Sequence, residues 1–309
     1  MGSFPGVSQQ HGVLVLDKPE GPTSTACLEL IKKKLGQRKI GHAGTLDPMA
    51  TGVLLVLLGQ GTKLAPYLLS GEKVYRGELQ LGMVTDTYDR TGTIEEEHPF
   101  QGITPEMVSE AVNSWLELTE QEVPAYSAAK HKGKPLYALK RAGKDVPVKI
   151  KPVDISLAEV LEMDLPRVSF RVRCSQGTYI RSLAHSLGKR LGCGAALTAL
   201  VREQSHPFAL DTAHGLDEVL DDPAGFSARV IPLAACLPHW PKLRLEPEQV
   251  NKVKNGVRIA VQETEIPASS LREGDGAMVM DFRNEPLALV EAKREGDQLM
   301  WSILRGLWT

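Results

Sequence analysis

At 309 residues and 33.7 kDa the chain has room for about two ordinary domains, and 42% apolar residues are enough to bury a core. Its 36 Lys and Arg against 38 Asp and Glu give a net charge of -2, which excludes a uniformly basic nucleic-acid binder but not a locally basic one. The four cysteines (Cys27, Cys174, Cys193, Cys236) are far apart and form no C-x-x-C pair, so neither a zinc site nor a disulfide framework is expected, and a reducing cytoplasm is the natural compartment.

In chain order, residues 1–10 read as a loose tail with no signal pattern. Residues 13–16 are a short apolar strand stopped by Pro19, Gly21 and Pro22. A helix follows, capped by Thr23 or Ser24, with Cys27, Leu30, Ile31 and Leu35 at the spacing of one buried face. Lys32, Lys33 and Lys34 suit its C-terminal end and read as a solvated face. Residues 36–52 are a glycine-punctuated loop. Residues 53–58 form a buried strand that, at six residues, is the longest aliphatic run, against about 18 needed to cross a membrane. Residues 59–63 resemble a phosphate loop only superficially and read as a strand-to-helix turn; residues 74–81 are another strand, and residues 104–118 a helix. The strand 168–174 leads into a helix marked by Ile180, Leu183, Ala184, Leu187 and Leu191 and ended by Gly192.

Strands and helices mix without strict alternation, which predicts an α+β fold with a mixed, largely antiparallel sheet and flanking helices. Four prolines within residues 232–247 predict a domain boundary, giving domains 1–238 and 239–309. The second contains one helix over 248–254, a turn at Asn255-Gly256, and short apolar runs at 277–280 and 287–290, a pattern suited to a small β-barrel.

Two segments concentrate chemistry. Residues 130–151 hold eight Lys or Arg and one acid, interleaved or flanked by Tyr126, His131 and Tyr137, a composition that neutralises phosphates and stacks on bases, or else forms a basic surface loop. Residues 41–52 (GHAGTLDPMATG) place glycines, His42 and Asp47 beside the buried strand. Pro48 biases Asp47 toward extended backbone, so the loop can hold one carboxylate in a cleft; a simple Asp-Pro turn is the plainer alternative. One carboxylate can serve as metal ligand, general base or nucleophile. Metal ligation is not expected, because the eight histidines are scattered and H-E-x-x-H is absent.

Residues 41–52, Lys73-Val74-Tyr75, the run Gly177-Thr178-Tyr179-Ile180-Arg181 with Ser182 and Leu183, and the opening Leu16-Asp17-Lys18-Pro19 with Gly21 closely resemble the TruB family of tRNA pseudouridine synthases. The resemblance spans most of residues 11–240 in order, and the tail from about 239 resembles the family's PUA-type RNA-binding module. It implies Asp47 as nucleophile toward the uridine, Arg181 as the cation that keeps it ionised, and Tyr75 as the ring that stacks on the extruded uracil and helps remove the proton from carbon 5. His42 is implied near the flipped nucleotide and Tyr179 as an orienting neighbour. Leu200 and Arg202 form a later wall of the site, where Val201 stands in place of the usual arginine. Lys18, Lys130 and Lys132 are further substrate contacts, the last two in an RNA-gripping insert over 126–151.

The implied substrate is the T-arm stem-loop of tRNA, modified at position 55. No cofactor is implied, because the same uracil leaves and returns, and neither a membrane nor an obligatory protein partner is expected; a monomer is. Residues 239–309 carry ten Lys or Arg and eleven acids, so RNA binding there rests on the resemblance alone, with a structural cap as the alternative. Two other readings stay open: an RNA-binding protein without the chemistry, against which Asp47, Tyr75 and Arg181 count, and a guide-dependent synthase of the dyskerin type, against which the basic insert counts.

Overall fold

A computed structural model describes residues 8–308; most of the expected N-terminal tail lies outside the described residues. A central sheet runs in the order Ile155–Asp164, Arg167–Cys174, Lys73–Leu81, Ala195–Ser205, Thr51–Leu58, Gly12–Lys18, His214–Gly215. Its neighbours are antiparallel except for the short parallel pairings of Ala195–Ser205 with Thr51–Leu58 and of Gly12–Lys18 with His214–Gly215. The sheet is therefore mixed and largely antiparallel, as the absence of strict alternation predicts.

Period-two alternation explains why residues 53–58 are unbroken aliphatic rather than half polar: both faces are covered. Leu14, Leu16, Leu54, Val56 and Leu58 face a core shared with Cys27, Ile31, Phe170, Leu183 and Leu187, where Trp115 meets Phe170 edge to face with centroids 5.1 Å apart. Val13, Val15, Val53, Leu55 and Leu57 face the opposite way, against Met278, Met280, Leu289 and Leu307. Met278, Met280 and Leu289 belong to a second, open sheet ordered Lys242–Arg244, Gly276–Met280, Pro286–Glu295, Gln298–Gly306, Ile259–Ala260, alongside the helix Pro247–Lys254, and Leu307 directly follows its strand Gln298–Gly306. The C-terminal strands thus supply the cover for the rear of the central sheet. Lys63 Nζ donates to the Gly306 carbonyl at 2.6 Å across the same contact.

Three local readings of the sequence change. The first helix, Ser24–Leu35, is capped by the Thr23 side chain, but Leu30 is exposed and Leu28 takes its place in the core beside Cys27, Ile31 and Leu35. At 100° per residue Cys27, Ile31, Leu35 and Leu28 fall in that order within one arc of about 100°, whereas Leu30 lies about 60° outside it on the Cys27 side. The stretch 36–52 is not all loop, because Ile40–Ala43 pairs antiparallel with the strand Thr51–Leu58 from Leu58 to Leu55. The helix begun at Pro105 ends at Asn113 and continues only as a 3-10 turn through Glu117. The strand 168–174 and the helix after it stand where the pattern placed them, at Arg167–Cys174 and Ile180–Leu191, the latter ending on Gly192 at φ 74°.

The two halves of the central sheet join through only two residue pairs, Val201 with Thr51 and Arg202 with Gly52. Gly52 is required there: its φ is 95°, and a Cβ would lie 2.4 Å from the Arg202 carbonyl oxygen. Gly52→Ala is expected to cost about 1–3 kcal/mol of unfolding free energy, read as a lower urea midpoint at unchanged slope.

Candidate active site

The loop between the strands Ile40–Ala43 and Thr51–Leu58 carries Asp47 at the junction of the sheet halves, and buried donors hold it from below. Lys18, fully buried, donates through Nζ to the carbonyls of Pro19 at 2.8 Å, Ala50 at 2.8 Å and Pro48 at 3.3 Å. Ser24 Oγ donates to the Leu46 carbonyl at 3.1 Å and accepts from Leu46 N at 2.9 Å, while Gly21 N donates to the Pro48 carbonyl at 2.8 Å. Arg202, also buried, spans both ends of the loop: Nε donates to the Val53 carbonyl at 2.6 Å and Nη2 to that of Gly44 at 3.1 Å. Two buried cations satisfied mainly by carbonyl oxygens fix the loop without taking up its carboxylate. Burial pushes the Lys18 ammonium below its usual value, against the opposing pull of Cys27 and Asp47.

Asp47 itself stays 37% exposed. Arg181, only 5% exposed, grips it in a fork, with Nε 2.9 Å from Oδ2 and Nη2 3.2 Å from Oδ1. The guanidinium is aimed by its other contacts: Nη1 donates to the Thr87 carbonyl at 3.0 Å and lies 3.5 Å from Asp89 Oδ2, and Nη2 donates to the Tyr126 carbonyl at 3.1 Å. Asp89 is buried, and its Oδ1 accepts from Thr91 N at 2.9 Å, Thr91 Oγ1 at 2.6 Å and Thr87 Oγ1 at 2.9 Å. The helix bearing Arg181 has its first turn tied by Gln121, whose side chain donates to the Tyr179 carbonyl at 3.0 Å and accepts from Tyr179 N at 2.8 Å.

Tyr75 lies directly across the sheet from Arg202, with Leu200 two residues before Arg202 on the same strand; both Tyr75 and Leu200 are buried. Burial raises the Tyr75 phenol above its usual range, opposed by the Arg202 guanidinium, so it stands neutral at pH 7. Burial, and then the charge of Arg202, lower His42, whose Nδ1 is enclosed without a hydrogen-bond partner.

The structure thus joins Asp47 directly to Arg181, sets Tyr75, His42 and Leu200 around Arg202, and leaves Tyr179 half-buried at the head of the Arg181 helix. Lys18 and Arg202, expected as substrate contacts, lie beneath the loop as its supports. Lys130 and Lys132 are exposed on a small hairpin, Lys130–His131 with Lys134–Pro135, and make no ion pair with the site among the described residues. Asp89, Thr87 and Gln121 were not singled out in the sequence, and Ser24 was named only as a candidate helix cap. The run Thr85-Asp86-Thr87-Tyr88-Asp89-Arg90-Thr91-Gly92 carries a turn signal dense in Thr and Asp, the one cue that a buried polar knot forms there. No group of three or more His, Cys, Asp or Glu suited to a metal ion occurs among the described residues, and no helix among them is long and apolar enough to cross a membrane.

Comparison with known proteins shows what the chain is similar to. Residues 32–180 match the model of the TruB family pseudouridylate synthase N-terminal domain. The chain is 57% identical over 302 residues to the tRNA pseudouridine synthase B of Nitratidesulfovibrio vulgaris strain Hildenborough, covering 97% of this chain and 99% of that one. Its identity to the protein of the same name from Thermotoga maritima is 38%, covering 94% and 93%. Among solved structures, a chain of a Cbf5-Nop10-Gar1 complex superposes with a TM-score of 0.72 at 26% identity, over 99% of this chain and 91% of that chain. Matched along nearly its whole length by such relatives, with Asp47 and Arg181 paired at the centre of the fold, the chain belongs to the TruB family of pseudouridylate synthases.

Proposed function

We propose that the protein isomerises uridine to pseudouridine in tRNA, at the T-loop uridine, position 55, acting as a cytoplasmic monomer with neither cofactor nor protein partner. The observation that carries this reading is the Asp47–Arg181 fork: a carboxylate partly exposed on one side and held on the other by a buried guanidinium. The names of the bacterial relatives support tRNA as the substrate.

The reaction breaks the bond from C1′ to N1, turns the uracil, and forms the bond from C1′ to C5; C5 loses a proton and N1 gains one, so nothing is consumed. Asp47 is the nucleophile, and the Arg181 fork fixes the direction of its lone pairs. The uridine must leave its stack to reach this loop, and aromatic stacking, worth about 1–3 kcal/mol per base, offsets that cost. Tyr75 supplies the ring and stands beside carbon 5, and its neutral phenol suits stacking more than it suits phenoxide chemistry before RNA binds. His42 presents a neutral ring beside the flipped nucleotide, and Tyr179 and Leu200 flank it. Lys130 and Lys132, in the basic insert 126–151, grip the backbone of the T-arm, and residues 239–309, packed on the rear of the central sheet, form an RNA-binding domain.

Mapping the product in transcribed tRNA tests the assignment: pseudouridine at position 55 and none in a tRNA carrying cytidine there is the expected result, and equal modification at other uridines would contradict it. Asp89→Asn removes the charge that aims Arg181 while keeping an oxygen for the Thr87 and Thr91 donors. It is expected to slow single-turnover conversion about tenfold to a hundredfold, with tRNA affinity within about twofold of wild type.

A further inference from the structure

We propose that the stacked pair of Tyr88 and His185 positions the Arg181 guanidinium, by locking the turn over residues 85–93 onto the helix that carries it. The inference rests on the reading of Asp47 and Arg181 as the reacting pair. His185 lies four residues after Arg181 in the helix Ile180–Leu191, hence on the same side one turn on. Its ring lies flat on that of Tyr88, with centroids 3.8 Å apart and planes 11° from parallel. Tyr88 stands between the two residues of the turn that hold Arg181, Thr87 through its carbonyl at 3.0 Å and Asp89 through its carboxylate at 3.5 Å. Fixing the Tyr88 ring against the helix therefore fixes the distance from both acceptors to the guanidinium.

The stack is held at a cost. Tyr88 has φ of 64°, a left-handed conformation that disfavours a bulky side chain, and it is kept there by Tyr88 N donating to the Thr85 carbonyl at 3.1 Å and Leu197 N donating to the Tyr88 carbonyl at 3.0 Å. His185 Nδ1 is enclosed with no hydrogen-bond partner. Burial, with Lys189 adding to it, pushes the His185 imidazole down to about 4, so the ring is uncharged at pH 7 and works as a flat plate. Strain and an unpaired polar atom at one contact beside the reacting pair mark a position set by geometry more than by stability.

The test compares His185→Ala and His185→Phe in the full chain on transcribed tRNA, each checked for a wild-type circular dichroism spectrum at the assay temperature. His185→Ala is expected to lower kcat about tenfold or more at unchanged KM, and His185→Phe, which still stacks, to restore kcat to within about threefold of wild type. In an Asp89→Asn background the alanine change is expected to cost clearly less than it does alone, because both act through Arg181 and only the Thr87 carbonyl contact is left for the stack to hold. Additive losses, a change confined to KM, or failure of phenylalanine to rescue would overturn the inference. Asp47→Asn is run beside them: if it turns over, the reading of the site falls and this inference with it, whereas a dead Asp47→Asn beside a fully active His185→Ala overturns the inference alone.

Discussion

Asp47→Asn is expected to abolish pseudouridine formation, by about 10⁴-fold or more, the scale on which removal of a covalent nucleophile acts. The change replaces one oxygen by an NH₂ of the same size, and everything that shapes the loop lies elsewhere: Lys18 and Arg202 beneath it, Ser24 at Leu46, and Gly52 at the sheet junction. Arg181 keeps Asp89 and the carbonyls of Thr87 and Tyr126 as partners, so no buried charge is stranded. Fold and tRNA binding are therefore expected to survive, with Kd within about threefold of wild type, less than 1 kcal/mol at about 1.4 kcal/mol per tenfold. Filter binding and single-turnover conversion on the same preparations separate the two effects. A variant that binds and still converts would remove Asp47 from the chemistry.

Arg181→Met has a different signature, because it damages stability and catalysis together. The guanidinium is almost wholly buried and is the cation that faces Asp89, which is itself buried. Removing one partner of such a pair leaves the other charge uncompensated and costs about 3–5 kcal/mol. Activity, measured well below the lowered midpoint, is expected to fall about a hundredfold or more, as for loss of a preorganised charged donor. Arg181→Lys separates the contributions: the ammonium keeps the charge opposite Asp89 but cannot form a two-pronged contact with Asp47 while also reaching the Thr87 and Tyr126 carbonyls. It is expected to recover most of the urea midpoint and little of kcat. Equal recovery of both would show that charge alone, and not the fork, is what the site uses.

How much of this was legible in the sequence depended on whether the responsible signal was local. The loop over residues 41–52 stood out because glycines, His42 and Asp47 crowd next to an aliphatic run, and that run announced a strand covered on both faces. The partner of its rear face, the strands around Met278, Leu289 and Leu307, could not be read from residues 53–58, because an apolar surface does not specify what covers it. The buried roles of Lys18 and Arg202 were hidden for a related reason. A basic residue in sequence reads as a contact for phosphate, and only the three-dimensional arrangement shows its donors consumed by main-chain carbonyls. Asp89 and Gln121 were missed because their significance lies in what they touch across 92 and 58 residues of chain, at Arg181 and Tyr179. Leu30 was placed on the buried face because a three-residue step from Cys27 fits helical spacing, but that step falls on the side of Cys27 away from Ile31 and Leu35, and Leu28 completes the stripe instead.

The most direct test of the account is conversion of an isolated T-arm stem-loop RNA by the purified protein alone, in excess chelator and without any guide RNA. The account predicts stoichiometric pseudouridine at the T-loop uridine, resolved by nucleoside mass spectrometry after a single turnover. Tight binding of the stem-loop with no conversion would contradict it, and would leave a partner-dependent synthase or an RNA-binding protein in its place.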